Sequence, residues 1–147
     1  MAVRRYAEGT QVSVESSRGE ITGILAKHGV QTMGWMARPD GDELMFELHG
    51  ATYRFAINKP TTDEMRDRAK REGAYLPQVD LASRVDKEWR RRWRAHVLLL
   101  KAKMEFAAGG DTTIDREFMP FRVLKDGRTI EQALIDGGLP LLTAGSR

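Results

Sequence analysis

ELMFELHGATYRFAI, residues 43–57, decides the fold reading. Leu44, Phe46 and Leu48 alternate with Glu43, Met45 and Glu47, and beyond His49-Gly50 the alternation resumes at Tyr53, Phe55 and Ile57. A period of two places each set on one face of a strand. Pairing the two runs across a tight His49-Gly50 connection brings the aromatic and aliphatic residues onto a common face. Immediately upstream, Val30–Ala37 reads as a further strand, ended by the turn signal Arg38-Pro39-Asp40-Gly41-Asp42. Three such runs in succession predict an antiparallel meander with one buried and one polar face.

Working towards the N-terminus, a helix precedes the meander. Ser17 and Glu20 have the spacing of a capping box, and Ser13 is an equally good earlier cap. Ile21, Ile24, Leu25 and His28 share a helical face, and Gly29 is a natural stop. Gly19 and Gly23 weaken this helix by about 1 kcal/mol each relative to alanine, so it depends on packing. Before it, the alternation of Val12 and Val14 with polar neighbours predicts a short strand over Gln11–Val14.

Towards the C-terminus, Thr61-Thr62-Asp63-Glu64 is a helix entry with acidic residues in the first turn. Met65–Glu72 is almost wholly charged, fitting a short solvated helix or a loop. The longest periodic segment runs over about 79–108 and ends at Gly109-Gly110. Asp111 or Thr112 then caps a short helix through Phe118, which Pro120 stops. Phe121–Leu124, with the Lys125-Asp126-Gly127-Arg128 turn, predicts a fourth short strand, and Ile130–Ile135 one or two helical turns before a frayed tail over 137–147. The expected architecture is α+β: a three- to four-stranded antiparallel meander packed against an N-terminal helix and one long basic helix. All of residues 1–147 form a single domain of the commonest size, with the helix and meander over about 11–58, helical structure over about 61–108 and short elements over about 111–136.

Charge is concentrated in the long helix. The chain carries 24 Lys and Arg against 21 Asp and Glu, a net charge of +3. Between Arg84 and Lys103 eight basic residues face only Asp86 and Glu88, so that stretch carries +6 and the remainder −3. Projected at about 100° per residue, Leu81, Ala82, Val85, Trp89, Trp93, His96, Val97, Leu99, Leu100, Met104, Phe106 and Ala107 gather in an apolar half. Lys87, Arg90, Arg91, Arg94 and Lys101 gather opposite, in a sector that also holds Leu98 and Glu105. Such a ridge suits phosphate neutralisation with counterion release, and equally a solvated face with local ion pairs. Trp89 and Trp93, at i and i+4 on the apolar half, read as core, although tryptophans among cations also suit stacking on single strands.

Several chemistries lack their parts. Without cysteine there are no disulfides or thiolate metal sites. His28, His49 and His96 have no metal-binding spacing, and no G-x-S-x-G, G-x-x-x-x-G-K-[ST] or G-x-G-x-x-G appears. Asp40, Asp42 and Glu43 cluster, and carboxylate pairs can bind Mg²⁺, while Pro39-Asp40 with Glu47-x-His49 shares residue types with restriction-type nucleases. There, however, His49 stands for lysine, the spacing is very short and Asp40 belongs to a turn. The reading is therefore no catalytic residue, no metal and no cofactor. No apolar run reaches the roughly 18 residues of a membrane span. Met1–Thr10 carries charges where a signal peptide is apolar, which predicts a cytoplasmic protein.

The segments VSVESSRGEITGILAKHG, Gly34-Trp35, ELMFELHGATYRFAI, EWRRRWRAHVLLLKAKMEF, TTIDREFMPF and VLKDGRTI, in this order, resemble a family of small proteins from tailed bacteriophages and prophages. The resemblance covers about two-thirds of the chain. It implies a phage-encoded protein in the host cytoplasm and carries over no activity and no functional residue. Gly19 and Gly23 depart from the helix formers it leads one to expect.

Function is accordingly expected in binding rather than catalysis. The first expectation is a nucleic-acid-binding accessory protein that contacts the backbone through Lys87, Arg90, Arg91, Arg94 and Lys101. The alternative is a protein-interaction module directed at a host or phage protein. A homodimer is also expected, because a helix of about 30 residues spans roughly 45 Å and outruns a small sheet. Leu98 among cations favours pairing, whereas Ile114, Phe118, Phe121, Val123 and Leu124 offer a cover within one chain.

Overall fold

Ser13 starts the first helix of the computed structural model, which describes residues 3–138. In extended backbone, its side chain accepts a hydrogen bond from the Ser16 N–H at 3.1 Å and opens α1, Val14–Lys27. Of the two candidate caps, Ser13 is therefore the one used. Ser17 lies inside the helix and is fully buried. The strand expected over Gln11–Val14 does not form, because the Ser13 cap draws Val14 into the helix. Gly29, at φ +91°, ends α1 in the left-handed region that favours glycine.

The meander forms as β1 (Thr32–Arg38), β2 (Gly41–Leu48) and β3 (Ala51–Asn58), in the order β1-β2-β3 and antiparallel throughout. The register sets Trp35 against Leu44 and Leu44 against Phe55, and pairs Met33 with Phe46 and Phe46 with Tyr53. Leu44, Phe46, Leu48, Tyr53, Phe55 and Ile57 are all buried, as the alternation requires. Leu48 pairs with Ala51, leaving His49-Gly50 as a two-residue turn with φ of +51° and +77°. Two positive φ values in sequence match the twist of a hairpin. The other hairpin turns through Pro39-Asp40 and closes at Gly41, where a Cβ would lie 2.3 Å from the Ile57 carbonyl oxygen.

The fourth strand reduces to two isolated bridges, Tyr53 with Arg122 and Val123 with Thr129. A 3-10 turn over Met119–Phe121 delivers the chain to the β3 edge, and Leu124 N–H bonds the Arg128 carbonyl at 2.7 Å, turning it away again. Too few residues lie between these turns for a ladder.

Thr61 caps α2 (Thr62–Arg71), so the charged segment is a helix; its two buried residues, Met65 and Ala69, are its anchors. Asp80 caps α3 (Leu81–Ala108), which ends at Gly109. Thr113, rather than Asp111 or Thr112, caps α4 (Ile114–Phe118). Thr129 and Gln132 form a capping box for α5 (Ile130–Gly137). The tail expected over 137–147 lies, from residue 139 on, outside the described residues.

One hydrophobic cluster joins Ile21 and Leu25 of α1, the inner sheet face, Phe118, and Trp93, Val97, Leu100 and Met104 of α3. The last four follow i, i+4, i+7, i+11, a stripe narrower than the apolar half expected from sequence. Leu99 and Phe106 are correspondingly exposed, at 45% and 52%, and Ala82 is exposed too. Among the described residues, neighbours cover one side of α3, so an apolar residue beyond that stripe is exposed. Phe118 and Ile114 pack against the cluster that contains Met104, providing the cover within one chain. Among the described residues no helix is long and apolar enough to cross a membrane.

Candidate functional site

The five cations of the expected ridge meet different fates. Arg94 turns to α1, with Nη1 2.5 Å from Glu20 Oε2 and 3.4 Å from Ser17 Oγ. Glu105, about three turns further along α3, is likewise claimed by α1, 3.0 Å from Lys27 Nζ. Arg91 is held in two hydrogen bonds of 3.0 Å from its Nε and Nη2 to Glu88. Arg90 donates to the Thr10 carbonyl at 3.4 Å. Lys87 and Lys101 are exposed and make no ion pair among the described residues. The ridge is thus partly stitched into the fold, and Lys101 stands about two turns beyond Arg94.

Glu88 is the hub that the sequence reading counted but did not single out. It is 4% exposed, and four guanidinium groups converge on it. Arg5 Nη1 reaches both carboxylate oxygens at 3.2 and 3.1 Å, Arg68 Nη1 lies at 3.1 Å and Arg92 Nε at 3.3 Å, beside the Arg91 pair. Burial pushes its pKa up, but the Arg91 hydrogen bonds and the charges of Arg91, Arg68 and Arg5 outweigh burial and hold it at about 2. Arg92 also bonds Glu64 and the Asn58 carbonyl, so α2, α3 and the end of β3 meet here. Arg91 and Arg92 are i+3 and i+4 neighbours of Glu88 within α3, but Arg5 comes from the N-terminal segment and Arg68 from α2, so nothing local announces the convergence of all four.

Two clefts adjoin the first half of α3, and the N-terminal segment borders the second. The first, about 490 Å³, lies between the start of α1, the Pro39 turn and α3. Arg18, Arg38, Lys59 and Arg90 line it with Glu15, Asp42 and Asp86. Trp89 forms part of its wall, half-buried and edge-on to Trp93 with ring centroids 5.7 Å apart. Trp93 is fully buried, so the tryptophan pair divides between core and cleft. The second cleft, about 370 Å³, lies between the N-terminal segment, α2 and α3. Its charged lining is Arg5, Arg68, Arg84, Lys87 and Arg91 with Glu8, Glu72 and Glu88.

Together the clefts hold nine cations against six carboxylates. That excess of three positive charges equals the net charge of the whole chain. Of the expected site residues, the structure brings together Lys87, Arg90 and Arg91 at these clefts and leaves Arg94 and Lys101 outside them.

The acidic and histidine candidates are dispersed. Asp42 and Glu43 point to opposite sheet faces: Asp42 is bound by Arg18 at 2.6 Å, and Glu43 lies 3.2 Å from Arg38. Among the described residues no group of three or more His, Asp or Glu is placed to hold a metal ion. His28 is the C-cap of α1, His49 occupies the β2–β3 turn, and His96 stacks on Phe55 with its Nδ1 2.8 Å from the Arg92 carbonyl. Burial lowers the pKa of His96.

Comparison with known proteins finds no matching family model, no curated relative and no similar solved structure.

Proposed function

We propose that the protein is a non-enzymatic accessory factor that binds the backbone of a nucleic acid through the pole where α3 begins. The observation that carries this reading is the charge imbalance of the two clefts, nine cations against six carboxylates. Lys and Arg at such a surface neutralise phosphates and release counterions, a contribution that needs no base readout. Trp89, on the wall of one cleft beside Arg90, adds an aromatic surface suited to an unpaired base. The binding patch is narrower than the ridge: Lys87, Arg90 and Arg91 belong to it, while Arg94 holds α1 in place and Lys101 lies apart.

Binding of single- and double-stranded DNA and of RNA across a salt series tests the proposal. Three or four phosphate contacts give a slope of roughly −2 to −4 in log affinity against log salt. Lys87→Glu and Arg90→Glu weaken binding to all sequences alike and flatten that slope, whereas Lys101→Glu leaves it unchanged. A slope near zero, or no binding at low salt, overturns the reading.

The exposed Leu98, Leu99 and Phe106 on α3 favour a second reading, a protein-interaction module without catalysis. Capture from host lysate before and after nuclease treatment separates the two. A partner that survives digestion and is lost with Leu99→Glu supports interaction through α3, and retention that disappears on digestion supports nucleic acid.

A further inference from the structure

We infer that the cleft between the N-terminal segment, α2 and α3 is a site for a phosphomonoester dianion, the terminal phosphate of a nucleic-acid strand; this deepens the nucleic-acid reading and rests on it. Two of the three carboxylates of the cleft are already committed to arginines, and the third, Glu8, accepts the Arg5 backbone N–H at 3.0 Å. Glu88 is saturated by Arg5, Arg91 and Arg68, and Glu72 receives Arg84 Nη1 at 2.7 Å. Among the cations Arg68 is committed too, to Glu88 at 3.1 Å and Glu64 at 3.8 Å, but the other four keep free donors. Arg5 uses only Nη1 on Glu88, Arg91 only Nε and Nη2, and Arg84 only Nη1 on Glu72. Lys87 makes no ion pair among the described residues.

Five cations against three carboxylates leave the cleft with an excess of two positive charges. A phosphomonoester carries close to two negative charges at pH 7 and three strong acceptor oxygens, whereas an internal phosphodiester carries one. The dianion therefore matches the cleft, and planar guanidinium groups suit its oxygens. A volume of about 370 Å³ lies in the range of ligand pockets and leaves space for the adjoining sugar. The buried Glu88 orients the guanidinium groups before any ligand arrives, so little ordering is left for binding to accomplish.

The test compares one single-stranded oligonucleotide with a 5′-phosphate or a 5′-hydroxyl at fixed ionic strength, with inorganic phosphate as competitor and melting temperature as an independent readout. At pH 7.5 the phosphorylated strand binds roughly tenfold tighter, the worth of one added set of charge-assisted hydrogen bonds. The ratio shrinks below about pH 6, where the monoester takes up a proton. Inorganic phosphate at millimolar concentration removes the ratio. Lys87→Ala and Arg84→Ala bring it towards one without lowering the melting temperature by more than about 2 °C, because neither side chain supports the core. Equal affinity of the two strands overturns the inference and leaves backbone binding standing. If neither strand binds but inorganic phosphate raises the melting temperature, the anion site stands as one for free phosphate and the nucleic-acid reading falls. If neither strand nor phosphate has an effect, both fall.

Discussion

Arg18 sits over the Trp93 ring, its guanidinium carbon 5.1 Å from the ring centroid, while its Nη2 reaches Asp42 at 2.6 Å. The same guanidinium stands 5.7 Å from Trp35. One side chain of α1 therefore ties the start of β2 to the deepest tryptophan of α3, at the wall of the first cleft. Asp42 is 8% exposed and needs this cation. Arg18→Met keeps the stem but leaves a buried carboxylate uncompensated. Because the Arg18 side chain is about a third exposed, we expect a loss of about 2 kcal/mol rather than the 3–5 of a fully buried pair. Urea denaturation measures it. Arg18→Met combined with Asp42→Asn recovers part of the loss, and an additive double variant would show that the pair is uncoupled.

Glu88 gives the protein an acid-sensitive joint. Its folded pKa, about 2, lies below the ordinary carboxylate value that it has when unfolded. A depressed folded pKa contributes stability that is present above the unfolded value, near 4.3, and is lost as pH falls towards 2. Stability should therefore fall between about pH 5 and pH 2, and the contribution of this single group is on the order of 3 kcal/mol. Glu88→Gln is less stable at pH 7 and has a shallower acid limb in denaturation midpoints measured across that range. A wild-type limb that matches the variant's would show that the four arginines do not depend on this charge.

The meander was legible because its information is local. Alternation over 43–57, the Pro39 turn and the His49-Gly50 turn each act within a few residues, and the register follows from them. The length of α3 was legible for the same reason, from its periodicity and the Gly109-Gly110 stop. The width of its buried face was not. A helical projection places Leu99 and Phe106 with Trp93 and Leu100, but only the neighbours decide how far around the helix cover extends. The site was harder still. Arg5 lies 83 residues from Glu88 in sequence, and Arg94 finds Glu20 across 74. The basic character of α3 was readable, whereas its division into fold-holding and free cations depended on partners contributed by α1, α2 and the N-terminal segment.

Gly19 and Gly23 carry a cost that the fold does not require. Both lie within α1, and a Cβ at either would meet nothing within 4 Å. Neither has a positive φ. Replacing each with alanine removes backbone freedom from the unfolded chain and stabilises the helix by about 1 kcal/mol per site. The two sites are one turn apart without shared contacts, so Gly19→Ala with Gly23→Ala should approach additivity and raise the melting temperature by roughly 4–8 °C. A destabilising result would show that this bare face of α1 is in contact with something in solution.

Gly41 is the opposite case, and the comparison separates two reasons for a glycine. Its φ of +149° is one that L side chains rarely adopt. A Cβ here would stand 2.3 Å from the Ile57 carbonyl oxygen and 3.1 Å from the Asn58 Cα, both backbone atoms that no side-chain rotation can move. The close approach exists because β3 runs alongside the first residue of β2 and Lys59 N–H bonds the Asp40 carbonyl at 2.8 Å, pinning strand end to turn. Gly41→Ala must therefore shift the β2–β3 pairing or open that bond, and we expect a loss of about 2–4 kcal/mol. Because Asp42 follows directly, the displacement also draws its carboxylate away from Arg18. Amide exchange should then report faster opening at Lys59 and Asp42 than in the sheet centre around Phe46, while uniform protection across the meander would show that the turn absorbs the added methyl group.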